Sequence, residues 1–172
     1  DDWLSAFGEI VMMQKPEDME LFPAEETGYS YLMLFSDYVK MDLTLLEKRH
    51  LPAYLAADGL CTILLDKDGD VPQPPAPSDR RYHLQKPSAR SFDDCCNEFW
   101  NLGTYVTKGI CRGERLYAAD LMQLMRSELL RMLAWQVGLR RGYTFSIGKN
   151  YKFLPQYLED ETRDRKSTRL NS

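Results

Sequence analysis

Three sets of side chains in this sequence could carry chemistry. The first is a single carboxylate, Asp42, in the run YLMLFSDYVKMDLTLL at residues 31–46. The run reads as two strands around a tight turn at Ser36, Asp37 and Tyr38. Tyr31 to Phe35 is almost wholly apolar, as in a strand buried on both faces. After the turn, Val39, Met41, Leu43 and Leu45 point one way, and Lys40, Asp42, Thr44 and Leu46 the other. Asp42 is thus fixed in mid-strand, where a charge wants a partner or a metal ion. The plainer alternative is the wet face of an antiparallel sheet. The second set is Lys149 and Lys152 in GKNYK, residues 148–152, beside a glycine and next to a helix start. Such a loop can hold phosphate oxygens. It lacks the flanking glycines and hydroxyl of a Walker loop, and a solvated basic loop explains it as well. The third set is acidic: Asp93, Asp94 and Glu98, joined by Glu128 from a later helix. Carboxylates in a first helical turn answer the helix dipole. Glu128 borders an apolar stripe and so calls for a cation, Arg126 or Arg131.

The elements that must position these groups follow from the local text. Asp2 can cap a short helix, WLSAFG. Residues 9–14 read as a strand stopped by Lys15-Pro16, and an acidic loop with five carboxylates runs to Thr27. A short helix begins at Leu51-Pro52 and ends by Gly59, and LCTILL, residues 60–65, reads as a further strand. The run Asp66 to Asp70 lacks the glycine and glutamate positions of a calcium loop, so a polar turn is expected. VPQPPAPS, residues 71–78, is an extended connector. Beyond it the periodicity turns helical. Ser91 is placed to cap a helix, with Phe92, Cys95, Cys96, Phe99, Gly103 and Val106 on its apolar side. Gly113 separates this from a longer helix, Glu114 to Val137, ending near Gly138. Its apolar stripe runs from Ala118 through Met122, Met125 and Leu129 to Gln136. A last helix start stands at Pro155.

The fold class expected is α+β: a mixed sheet followed by an α-helical domain. Residues 1–70 form the first domain, 71–90 a Pro-rich linker and 91–163 the helical part. The chain has 172 residues, 44% hydrophobic and 12% aromatic, enough for a real core. A net charge of −4 fits a cationic partner better than a nucleic-acid backbone. No apolar run long enough to span a membrane and no signal peptide is seen. Cys61, Cys95, Cys96 and Cys111 form no CxxC pair, and neither His50 nor His83 stands at zinc spacing from them. They read as reduced, mostly buried thiols of a cytoplasmic protein. Asp164 to Ser172, DRKSTRLNS, breaks from the text before it and resembles a translated sequencing adapter. With no initiator Met, the chain reads as a fragment, and those nine residues are set aside.

Three runs carry a family resemblance: FPAEETGYSYLMLFSDYVKMDLTLL, KPSARSFDDCCNEFWN and SELLRMLAWQVGLRRGYTFSIGKNYKF. They are similar to the aminoglycoside 6-adenylyltransferases, streptomycin-modifying nucleotidyltransferases, over residues 1 to about 158. The resemblance implies a nucleotidyltransferase domain, then a helical substrate-binding domain. It implies transfer of AMP from ATP to a streptomycin hydroxyl, with Mg2+ held by three carboxylates on adjoining strands. The third of these matches Asp42; the Gly-Ser loop and the Asp-x-Asp pair would lie upstream of Asp1. It further implies that Asp42 draws the proton from the sugar hydroxyl, and that Lys152 with Lys149 grips the ATP phosphates. A polycationic drug needs anionic walls, which points by charge to Asp94, Glu98, Asp120 and Glu128. The expected partners are the aminoglycoside and ATP, with no nucleic acid and no membrane. The parent protein is read as a resistance enzyme and this piece of it as inactive. A non-catalytic nucleotide-binding or interaction module of the same fold is the alternative.

Overall fold

In a computed structural model the chain divides into two compact units, Asp1–Pro77 and Ser78–Ser172. The structure describes residues 2–22 and 27–158. The adapter-like run 164–172, the last part of the acidic loop at 23–26 and the Asp2 side chain expected as a cap lie outside the described residues.

The first unit is built on a three-stranded antiparallel sheet in the order β1-β2-β3: β1 (Ile10–Gln14), β2 (Tyr29–Phe35) and β3 (Lys40–Leu45). The β2–β3 turn is set by local chemistry. Tyr38 takes a left-handed φ of 66°, and its N–H donates to the Phe35 carbonyl at 2.9 Å. The Val39 N–H donates to Asp37 Oδ1 at 3.0 Å, and the Phe35 N–H to the Val39 carbonyl at 2.9 Å. This fixes the register, with Leu32 opposite Asp42, Met33 opposite Met41 and Ser30 opposite Thr44. Alternation then puts Tyr31, Met33 and Phe35 on one face, where they bury with Leu4 from a 3-10 turn, Asp2–Phe7. Met41 and Leu43 close the same core. On the other strand edge, β1 pairs Met12 with Leu34 and Gln14 with Leu32, after an irregularity between Ile10 and Met12.

The acidic segment after β1 is tied to the start of β2. Ser30 donates its backbone N–H to Glu17 Oε2 at 2.9 Å, and the Tyr29 hydroxyl donates to Asp18 Oδ2 at 2.6 Å. The Ser30 N–H holds the Glu17 carboxyl below its ordinary range. The bond to Asp18 pushes the Tyr29 phenol up to about 12.

Helix α1, Leu51–Ala57, forms where Pro52 was read as a start. The strand expected at 60–65 does not form; the stretch enters no ladder and Leu64 is 93% exposed. A strand exists only through the neighbour it pairs with, and 60–65 pairs with neither edge strand of the described sheet, β1 or β3. The run 66–70 is a polar turn. Asp66 accepts the N–H groups of Asp68, Gly69 and Val71, and Lys48 pairs with Asp68 and Asp70.

The second unit is a helical hairpin, α2 (Ala89–Cys111) against α3 (Arg115–Arg141). Ser88, not Ser91, caps α2: its hydroxyl accepts the Ser91 N–H, one turn earlier than expected. Gly113, at φ 74°, makes the turn between the helices. The expected stripe of α2 does meet α3, through Phe92 on Trp135 and Cys96 on Met132. On α3 the stripe is wider than the contact, and Met122 and Leu129 stay exposed. Helix α3 runs through Gly138 to Arg141, a lone interior glycine being tolerated in a helix, and the Tyr143 ring folds back onto the bare Gly138 backbone. A Cβ there would meet ring atoms of Tyr143 at 2.8 and 2.9 Å. The following chain packs Leu154 onto Ala134 and Val137, with Phe145, Ile147 and Tyr157 around them.

Two outcomes follow. Gly138→Ala should lower stability by about 1–3 kcal/mol through overpacking, read as a lower Tm by circular dichroism, and Tyr143→Ala in the same chain should recover part of it. The Glu17 tether is favoured by a depressed folded pKa. Its stabilisation is therefore present above the ordinary value of 4.5 and lost as pH falls through the lower folded value. Glu17→Gln should differ from the parent in denaturant midpoint near neutral pH, and the difference should vanish in acid.

Candidate active site

Asp42 sits in the middle of β3, on the face opposite the buried core. Its side chain is 55% exposed and, among the described residues, meets one cation, Lys40, whose Nζ lies 3.2 Å from Oδ1 and 3.3 Å from Oδ2. The partner that a mid-strand charge wants is thus two residues back on the same face. The period-two pattern makes Lys40 readable as that partner, though the sequence reading did not assign it. An exposed pair of this kind contributes roughly 0–1 kcal/mol, so a ligand with a stronger claim on the carboxylate can displace the ammonium. Around Asp42 the face is polar at its ends and apolar in its centre. Leu32 and Leu34 form the floor, while Ser30 Oγ and Thr44 Oγ1 bond each other at 3.1 Å.

The other candidate residues lie in the second unit. Lys149 and Lys152 bracket a strained turn. Gly148 takes φ 70°, and a Cβ there would meet Lys152 Cγ at 2.6 Å and Phe153 Cδ2 at 2.7 Å. Asn150 and Tyr151 are also left-handed, at φ 55° and 63°. Each such residue costs on the order of 1–3 kcal/mol. The turn is held by the Phe153 N–H donating to the Ile147 carbonyl at 2.9 Å and by burial of Leu154. Both lysines are exposed, and Lys152 Nζ stands 4.8 Å from the Phe153 ring centroid.

Of the acidic set, Asp94 and Glu98 are exposed on α2. Glu128 is 14% exposed and already committed: Arg131 Nη1 lies 3.0 Å from its Oε2, and the buried Cys95 thiol donates to the same oxygen at 3.0 Å. Burial, then the bond to Glu128, pushes the Cys95 thiol up to about 12. Glu128 therefore fastens α2 to α3. Asp120 is exposed, eight residues before Glu128, which is about 12 Å along a helix. The four carboxylates do not converge on one point. All four cysteines are free, but only Cys95 is buried; Cys61 and Cys96 are half-buried and Cys111 is exposed, contrary to the expected burial.

Cavities of about 340 and 370 Å3 open elsewhere in the first unit. They are lined by the unpaired 60–65 stretch, the end of α1 and Pro72 to Pro77, and neither touches Asp42. They mark apolar chain lacking a neighbour more than a place for chemistry. Among the described residues no three His, Cys, Asp or Glu side chains converge to hold a metal, and no helix is long and apolar enough to cross a membrane.

Comparison with known proteins adds the following. The family described as Streptomycin adenylyltransferase matches residues 1–171. The chain is 56% identical over 172 residues to the aminoglycoside 6-adenylyltransferase of Campylobacter jejuni, covering 99% of this chain and 60% of that protein. It is 52% identical over 164 residues to the Staphylococcus aureus aminoglycoside 6-adenylyltransferase, covering 94% and 58%. A crystal structure of an aminoglycoside 6-adenyltransferase from Bacillus subtilis is 48% identical, covers 95% of this chain and 61% of that one, and superimposes with a TM-score of 0.43. The chain thus spans about 60% of the length of the first of these curated relatives. With an α+β architecture and a match along nearly its whole length, the chain belongs to the streptomycin adenylyltransferase family.

Proposed function

We propose that this chain is part of an enzyme that moves AMP from ATP onto a hydroxyl of a streptomycin-like aminoglycoside, and so confers resistance to the drug. The observation that carries the reading is Asp42. It is a carboxylate on a hydrogen-bonded strand, turned outward, with a readily displaced ammonium as its described partner. The names of the relatives supply the reaction class.

In this reading Asp42 has two tasks. It accepts the proton of the acceptor hydroxyl, whose oxygen bonds the α-phosphorus of ATP as pyrophosphate leaves. It would also be the residue of this chain that holds Mg2+, an ion that takes one or two carboxylates together with substrate phosphates, a donor set that an exposed carboxylate on a rigid strand suits. When bound, the ion offsets charge on the reacting phosphate. Lys149 and Lys152 bind phosphate oxygens from a left-handed turn on which both side chains are exposed. The helical unit adds ionic contacts to the cationic drug. Asp94, Glu98 and Asp120 are exposed carboxylates able to meet ammonium or guanidinium groups in water. Glu128 contributes chiefly by holding the α2–α3 pair, because its oxygen is already shared by Arg131 and Cys95. The partners are two small molecules, and the compartment is the cytoplasm, where ATP and reduced thiols coexist.

The test is Asp42→Asn in the full-length protein. Streptomycin adenylylation, followed by mass spectrometry of the product, should fall by about 10²–10⁴-fold with the circular dichroism spectrum unchanged. Turnover equal to the parent's would remove Asp42 from the mechanism.

A further inference from the structure

Gln14 occupies a position that the sequence does not single out. In the sheet register Gln14 of β1 stands opposite Leu32 of β2, and Leu32 stands opposite Asp42 of β3. Directly opposed residues share a face, so the three side chains form one row across the sheet, with Leu32 in the middle. The row spans two inter-strand spacings, about 9.6 Å. That width admits one six-membered ring, hydrogen-bonded at one edge to the carboxylate and at the other to the carboxamide.

The other polar groups on this face are already engaged. The Lys40 ammonium lies on Asp42, and the Ser30 and Thr44 hydroxyls bond each other. The Ser30 N–H is taken by Glu17. Among the described residues the Gln14 carboxamide makes no hydrogen bond, and it is exposed. A carboxamide offers two N–H donors and one carbonyl acceptor without carrying charge, so it can read hydroxyls or accept from an ammonium. Leu32 beneath the ring gives an apolar floor for its C–H face.

We propose that Gln14 is the specificity-determining contact for the acceptor ring, seating it over Leu32 so that its reactive hydroxyl meets Asp42. This rests on the adenylyltransferase reading and deepens it by naming the acceptor subsite: a polyhydroxylated six-membered ring lying across β1, β2 and β3. The contact positions the acceptor and does not touch the nucleotide.

The experiment uses the full-length protein with streptomycin as acceptor. Gln14→Leu should raise KM for streptomycin by about tenfold while KM for ATP stays within twofold. Gln14→Asn, which keeps the carboxamide on a shorter stem, should recover part of the loss. In the parent protein the Gln14 side-chain amide signal should shift in a 1H-15N spectrum on adding streptomycin alone. An active enzyme whose Gln14→Leu variant keeps the parent KM for streptomycin, or whose Gln14 amide stays still, overturns the subsite and leaves the reaction assignment intact. A parent protein that neither binds nor adenylylates streptomycin overturns both.

Discussion

Leu32 faces Asp42 across the β2–β3 ladder, and the first unit can do little unless that pairing holds. Strand side chains alternate, so a slip of one residue would send Asp42 into the Tyr31–Met33–Phe35 core and bring Met41 and Leu43 into water. Burying an unpaired carboxylate is far more costly than exposing one methionine. The left-handed turn at Tyr38 enforces the same register from the other end. Apolar packing on one face thus dictates a charged, accessible group on the other. The ion pair with Lys40 is a consequence of that placement more than a cause of it, since an exposed pair adds little stability.

The second unit works on the same division of labour. Cys95, Glu128 and Arg131 meet between α2 and α3, where a carboxylate with one cation and one thiol donor is well satisfied. This removes Glu128 from the freely available carboxylates and leaves Asp94 and Glu98 on the surface. Beyond α3, the bare backbone of Gly138 lets Tyr143 turn the chain back, and Leu154 closes over Ala134 and Val137. The strain at Asn150 and Tyr151 is held in place by that packing, which is how a left-handed turn bearing two lysines persists.

Local features were legible in the sequence and non-local ones were not. The β2–β3 hairpin could be read because its period of two and its turn residues lie within sixteen consecutive positions. Both long helices showed their periodicity. Gly138 looked like a helix stop, but the ring of Tyr143, five residues on, packs where its side chain would stand, so the glycine answers that packing and not a helix end. The stretch 60–65 has the composition of a strand, but a strand is a property of two segments, and composition reports only one. Glu17 reaches Ser30 across 13 residues, and Cys95 reaches Glu128 across 33, so neither contact has a signature in its own neighbourhood. Of the candidate site, Asp42 was visible as a charge among apolar alternation. Gln14 was not, because its place in one row with Asp42 depends on the register of two successive ladders.

Carboxyl-carbon NMR of Asp42 tests most directly whether the sheet presents this group to the reaction. In the full-length protein, adding Mg2+ with ATP should move the Asp42 carboxyl signal, while Asp37 in the turn stays still. An Asp42 signal that remains fixed while ATP binds would contradict its assignment to the reaction centre.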